Sequence, residues 1–164
     1  SGHMDRTIKR LINKINYQGS IYWEDKETSL KMKARPDFVK THKDIIVDVK
    51  TAIDGSKEAF GKAIGNNDLW LQAAMQIEGV VASGLMDKVD AYYWLVVEKK
   101  PPFNATIYHF QPDDIAWALD NLAYYKKLLA DAIKSNSFVG YTQQADNQYG
   151  IVSVELPAWI KTNF

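Results

Sequence analysis

Residues 44–52, Asp-Ile-Ile-Val-Asp-Val-Lys-Thr-Ala, constrain the fold more than any other stretch of the chain. A short β-branched run of this kind suits a central strand, yet it carries Asp48 and Lys50 within three residues. Side chains alternate along a strand, so Asp48 and Lys50 share one face. Val49 turns to the other face and into the core, and its backbone carbonyl remains a neutral oxygen ligand. Just upstream, Leu30, Met32 and Ala34 alternate with Lys31, Lys33 and Arg35, the pattern of a half-buried strand with a basic outer face. Pro36 suits an edge or strand end, and Asp37 follows it. The two acids are therefore expected at the ends of neighbouring strands. Spacing alone does not separate this arrangement from a charged turn beside a strand with one polar face.

Two carboxylates brought to ~4 Å repel by roughly 4 kcal/mol at an effective dielectric of ~20, so the pair needs a proton, a cation or separation. A hard divalent cation such as Mg²⁺ answers that need, because it takes one or two protein carboxylates and leaves its other positions to water and phosphate oxygens. Lys50, on the face of Asp48, could then orient or help deprotonate a water and offset charge on a phosphate.

The rest of the chain bounds these readings. With 164 residues, 46% of them hydrophobic, it can bury one substantial core. Ser1-Gly2-His3-Met4 reads as an expression-tag scar, leaving residues 5–164 as a single expected domain. The absence of cysteine excludes disulfides and Cys-ligated metals and fits a reducing cytoplasm. No apolar run approaches the roughly 18 residues that span a bilayer, so no membrane partner is expected. Net charge is zero, but residues 1–62 hold 13 Lys/Arg against 9 Asp/Glu, which makes that part the better face for a polyanion.

Periodicity predicts a helix through Ile8, Leu11, Ile12 and Ile15, then a short strand and polar turn within 20–28 and strands over 30–39 and 44–52. Helices follow from a cap in Asp54-Gly55-Ser56 and from Asp68, then a hairpin flanking Lys99–Asn104. A long helix from Pro112 carries a stripe of Ile115, Leu119, Leu122 and Leu129, and residues 140–150 read as a loop. This is an α/β class with one mixed central sheet flanked by helices. His42 and His109 read as turn and strand histidines rather than ligands, and Tyr92, Tyr93 and Trp94 as sheet packing rather than base stacking. Lys31, Lys33 and Arg35 suit DNA phosphates or a solvated face equally well.

Taken together, "ARPDFV…IIVDVKTA" resembles the PD-(D/E)XK nuclease signature. The longer series "SIYWEDKETSLKMKARPDFV", "IIVDVKTAIDGSKEAF", "LQAAMQIEGV" and "LPAWIKT" resembles the nuclease domain of the RecE (exonuclease VIII) family of phage and prophage exonucleases. The resemblance covers nearly all of the chain after residue 18. It implies a restriction-endonuclease-like core and Mg²⁺-dependent, 5′-to-3′ digestion of linear duplex DNA, with Mn²⁺ able to substitute. It also implies a homo-oligomer and a partner that anneals single strands. On this likeness Asp37, Asp48 and the Val49 carbonyl hold metal, Lys50 serves the attacking water, and Gln72 matches the glutamine of a Gln-x-x-x-Tyr helix motif. Gln76 stands where that motif has tyrosine and is assigned to DNA contact with Lys31, Lys33 and Arg35. The family's helix with histidine or glutamate, and a glutamate before the Tyr-Trp pair, have no counterpart here: Gln18 is neutral, and Glu24 and Asp25 are the nearest acids for a third ligand. Those departures motivate the alternative of a catalytically weak DNA-binding or assembly module.

Overall fold

A computed structural model describes residues 6–10, 18–138, 152–155 and 158. Residues 1–130 form one compact unit and residues 131–164 a second. Residues 6–10 are helical; Leu11, Ile12 and Ile15, predicted on the same helix, and the loop 140–150 lie outside the described residues.

The elements run β1 (Ile21–Glu24), β2 (Lys31–Ala34), β3 (Phe38–Lys40), β4 (Ile45–Ala52), α1 (Lys57–Asn66), α2 (Leu69–Ala82), β5 (Ala91–Glu98), β6 (Ala105–His109) and α3 (Pro112–Ser135). The described strands make two sheets, not the one expected. β1 and β2 form an antiparallel pair, and β3-β4-β5-β6 form a four-stranded mixed sheet. The single strand predicted over 30–39 breaks at Arg35-Pro36-Asp37, since Pro36 has no N–H to extend a ladder. That break places Asp37 immediately before the strand that pairs with β4 (Phe38 opposite Val47). β4 lies between β3 and β5, as its β-branched run requires, and runs parallel to β5 with Asp48 beside Trp94.

The core gathers on one face of this sheet. Ile46, Tyr92, Trp94 and Val96 are all but fully buried against Phe60 of α1 and Ala73, Ile77 and Val80 of α2. The β1-β2 pair closes onto α2 through Trp23, whose ring would lie only 2.7 Å from a Cβ at position 79, so Gly79 permits the approach. Ser56 caps α1 by accepting from the Ala59 N–H. Asp68 does not cap α2 with its side chain; its backbone is left-handed (φ 51°), outside the extended conformation a capping residue adopts.

The apolar stripe predicted on α3 ends early. Ala118 and Leu122 are buried, but Leu129 is 48% exposed and the inward position is taken by Lys126. Its ammonium binds the Asp25 carboxylate and Glu78 Oε2 (2.7 Å), and the other Glu78 oxygen accepts from Trp23 Nε1 (3.1 Å). The cluster thus joins α3 to α2 and to the β1 hairpin. Burial alone would raise the Asp25 carboxyl. The hydrogen bonds from Lys126 and from the hydroxyl and N–H of Thr28, with the ammonium charge, outweigh it and hold the group at about 2.

A carboxyl depressed from 3.8 to about 2 adds stability that is complete above pH 4 and disappears as the native group protonates toward pH 2. The shift corresponds to about 2 kcal/mol. We predict that Asp25→Asn unfolds more easily in urea at pH 7 by about that amount, and that the deficit closes between pH 4 and pH 2. A deficit independent of pH would mean that the carboxylate charge is not what the cluster uses.

Candidate active site

Asp48 sits in the middle of β4 and is 1% exposed. α2 crosses above it and supplies two glutamines one helical turn apart. Gln76 Nε2 donates to Asp48 Oδ1 (3.2 Å), and the Tyr92 hydroxyl of β5 donates to Gln76 Oε1 (2.8 Å). Because Tyr92 occupies the amide oxygen, the amide nitrogen is the end that faces the carboxylate. The Tyr92 phenol is raised well above its usual range, first by burial and then by the charges of Asp48 and Asp37, so it remains a donor.

The other carboxylate oxygen, Asp48 Oδ2, forms an ion pair with the Lys50 ammonium but has no well-formed hydrogen bond. Lys50 Nζ also donates to Gln72 Oε1 (2.8 Å). Burial pushes the Asp48 carboxyl up; Lys50 and Gln76 pull it down, the charge of Asp37 pushes up again, and the net direction is upward. Asp37 Oδ2 accepts from the Val49 N–H at 2.8 Å, which fastens the start of β3 to β4. In an extended residue the N–H and C=O point to the same flank. The Val49 carbonyl therefore lies on the Asp37 side of β4, beyond the Phe38–Val47 pair that begins the β3 ladder.

The structure thus brings Asp37, Asp48, Val49, Lys50 and Gln72 together. Lys33 and Arg35 join the same neighbourhood: with Asp68, Leu71, Gln72 and Met75 they border a hollow of about 400 Å³ whose floor includes Gln76. Lys31 does not line it and sits opposite Glu24 across the β1-β2 pair. Gln76 corrects its assignment. With 1% exposure and both ends of its amide engaged inside the protein, it braces Asp48 from the floor of that hollow and has no free amide end to offer a phosphate. Asp25 is no third ligand either, since its carboxylate is held by Lys126 and Thr28. Tyr92 was missed as a polar site residue. Its position in an aromatic run signals packing, and only the pairing of β4 with β5 reveals where its hydroxyl goes.

A hard cation fits this donor set. A buried carboxylate oxygen whose charge is met by one ammonium, a second carboxylate at the adjoining strand start and a flanking carbonyl are oxygen donors of the kind Mg²⁺ or Mn²⁺ takes. Among the described residues no group of three or more His, Cys, Asp or Glu side chains gathers to hold a metal.

The sequence matches the family described as "PDDEXK-like domain of unknown function (DUF3799)" over residues 5–147. The chain belongs to that family. Among solved structures, this PDDEXK-like domain is similar to one described as "Putative exonuclease" from Eubacterium rectale, with a TM-score of 0.59 and 13% identity. That match covers 99% of this chain and 62% of the other, so the chain spans under two thirds of that protein's length. A second, SSO0001, is 16% identical with 77% of this chain and 55% of its own covered, at a TM-score of 0.40, too low to indicate a shared fold. No curated protein matches the sequence. The PDDEXK-like fold is the mixed α/β core expected from the sequence, and no helix among the described residues is long and apolar enough to cross a membrane.

Removing a group that orients a metal ligand typically lowers metal affinity by about 10–100-fold. Gln76→Leu takes the amide donor from Asp48 while filling a similar volume. We predict at least a tenfold loss of Mn²⁺ affinity in calorimetric titration at pH 7, with the circular dichroism spectrum unchanged. Unaltered affinity would remove Gln76 from the support of the site.

Proposed function

We propose that this chain is a divalent-metal-dependent DNA nuclease, an exonuclease acting on the ends of linear duplex DNA in the 5′-to-3′ direction, with Mg²⁺ as its metal and Mn²⁺ able to replace it. The observation that carries the reading is the pairing of Asp48 with Lys50 under a helix that grips both: Gln76 holds the acid and Gln72 holds the lysine. An acid and an ammonium fixed side by side next to a second acid suit phosphodiester hydrolysis better than surface display.

Asp37, Asp48 and the Val49 carbonyl would hold the metal, which when bound supplies Lewis acidity toward the phosphodiester. Lys50 would orient the attacking water and take part in moving its proton, and Gln72 would keep the ammonium aimed. Lys33 and Arg35, on the rim of the adjoining hollow, would meet backbone phosphates; Lys31 would add a more distant contact along the strand. The digestion polarity, an annealing-protein partner, a phage-type recombination role in the cytoplasm and assembly into a homo-oligomer belong to the same proposal through the RecE-like motifs. The alternative, a DNA-binding module that cuts poorly, draws on one observation: no third acid joins Asp37 and Asp48 among the described residues.

The test is digestion of 5′-labelled linear duplex with Mg²⁺, Mn²⁺ or EDTA, beside a gel shift in Ca²⁺. We predict metal-dependent release of label, a fall of about 10²-fold or more in Lys50→Ala, and no recovery in Lys50→Arg, whose guanidinium stays protonated. Binding without metal-dependent cutting selects the module. Normal turnover in Lys50→Arg limits the residue to charge compensation.

A further inference from the structure

Beside the acids, on the same face of the sheet, a second hollow of about 470 Å³ opens between α1, β5, β6 and the start of α3. Its volume is that of small-ligand pockets. Six aromatic rings line it: Phe60, Trp70, Trp94, Tyr108, Phe110 and Trp117. They brace one another, with Phe60 stacked on Tyr108 (4.9 Å, 21°) and Trp70 tilted against Trp117 (4.9 Å, 60°). Tyr108 is further fixed by donating its hydroxyl proton to the Gly55 carbonyl (2.6 Å). The walls are thus held in place without an occupant.

Two further observations point to a ligand. Trp94 is 1% exposed, yet its indole N–H has no acceptor among the described residues. Buried donors are nearly always paired, so an orphan on a ring that lines the hollow leaves a donor unmet at its wall. Independently, α1 presents Gly61 and Gly65 to the hollow, one turn apart. Among the described residues a Cβ at either would meet nothing within 4 Å, and neither has a positive φ. Glycine weakens a helix interior relative to alanine, so neither backbone shape nor packing among the described residues accounts for these two; keeping the hollow open does.

We propose that this hollow is a nucleobase-binding subsite. Flat aromatic walls suit a ring that stacks, and ring nitrogens and carbonyl oxygens of bases are acceptors for an indole N–H. The location fits: β4 and β5 run parallel with Trp94 in register with Asp48, which puts the two side chains on one sheet face in adjacent strands. Lys57 on the rim is a cation for an attached phosphate. The choice of a base over another planar heteroaromatic rests on the nuclease reading; the open, unpaired hollow does not. The same chemistry could arrive as a free nucleotide released by cleavage or as the base of a bound strand.

The experiment uses protein carrying ¹⁵N in its tryptophan indoles, with EDTA present so that nothing is cut. The Trp94 resonance is assigned from the spectrum of Trp94→Phe. The protein is titrated with the four 2′-deoxynucleoside 5′-monophosphates, with a short single strand and with a blunt duplex. A saturable shift of the Trp94 indole with mononucleotides identifies a free-nucleotide site; a shift with strands alone identifies a base of the bound DNA. Gly61→Leu and, separately, Gly65→Leu should fill the hollow, keep or raise the melting temperature, and weaken that binding at least tenfold. A Trp94 signal unmoved by 10 mM nucleotide and by both DNAs overturns the proposal, as does unchanged binding in both leucine variants. An equal shift with indole or benzimidazole, compounds lacking sugar and phosphate, overturns the assignment to nucleotides. Because no cleavage is measured, a Trp94 shift alongside failure of the digestion assay would retire the nuclease reading alone.

Discussion

Everything at the site depends on keeping Asp48 ionised inside the sheet. A carboxylate 1% exposed in a central strand is tolerated only with partners that favour its charge, and the chain draws them from three elements. The Gln76 amide comes from α2, the hydroxyl that orients that amide comes from β5, and the Lys50 ammonium comes from β4 itself. The net upward push on the Asp48 carboxyl means that these partners do not fully offset its burial. A cation placed against Oδ2 would complete the compensation, so a metal ion would act as a structural as well as a chemical component.

The packing serves that arrangement. α2 can span acid and lysine only if it is pressed onto the sheet at a fixed height. Two contacts at its far end set that height: Trp23 against the bare Gly79 backbone, and Glu78 between Trp23 and Lys126. The Asp25–Lys126–Glu78 cluster lies apart from Asp48 and Lys50, yet it clamps the helix that holds them. Apolar residues could pack as tightly there, but a charged cluster of defined partners would also favour one register of α3 on α2, the role in which buried polar groups are best attested.

Much of this was legible in the sequence where composition and period agree. The β-branched run 44–52 read as a central strand, Pro36 read as a strand end, and the nearness of Asp37 and Asp48 followed from both, although Asp48 lies in the middle of β4 rather than at a strand end. What stayed hidden required knowing which strands meet. Pro36 does more than end a strand; it divides the residues on either side between two sheets, and nothing local distinguishes those outcomes. Gln76 and Gln72 look alike on a helix, and only docking decides that one is buried under an acid while the other reaches a lysine at the surface. Lys126 occupies a position where the stripe calls for leucine, and it is tolerated because Asp25 and Glu78, distant in sequence, converge there.

The central claim is that Asp37, Asp48 and the Val49 carbonyl form one cation site at the meeting of β3 and β4. Paramagnetic broadening by substoichiometric Mn²⁺ in a ¹H–¹⁵N spectrum tests it most directly, since the effect falls off steeply with distance from the ion. The account predicts that the amide signals of Asp37, Val49 and Lys50 vanish first, and that Asp48→Asn abolishes this selective loss. Broadening centred instead on Asp25 and Glu78, or spread evenly over the surface acids, would contradict it.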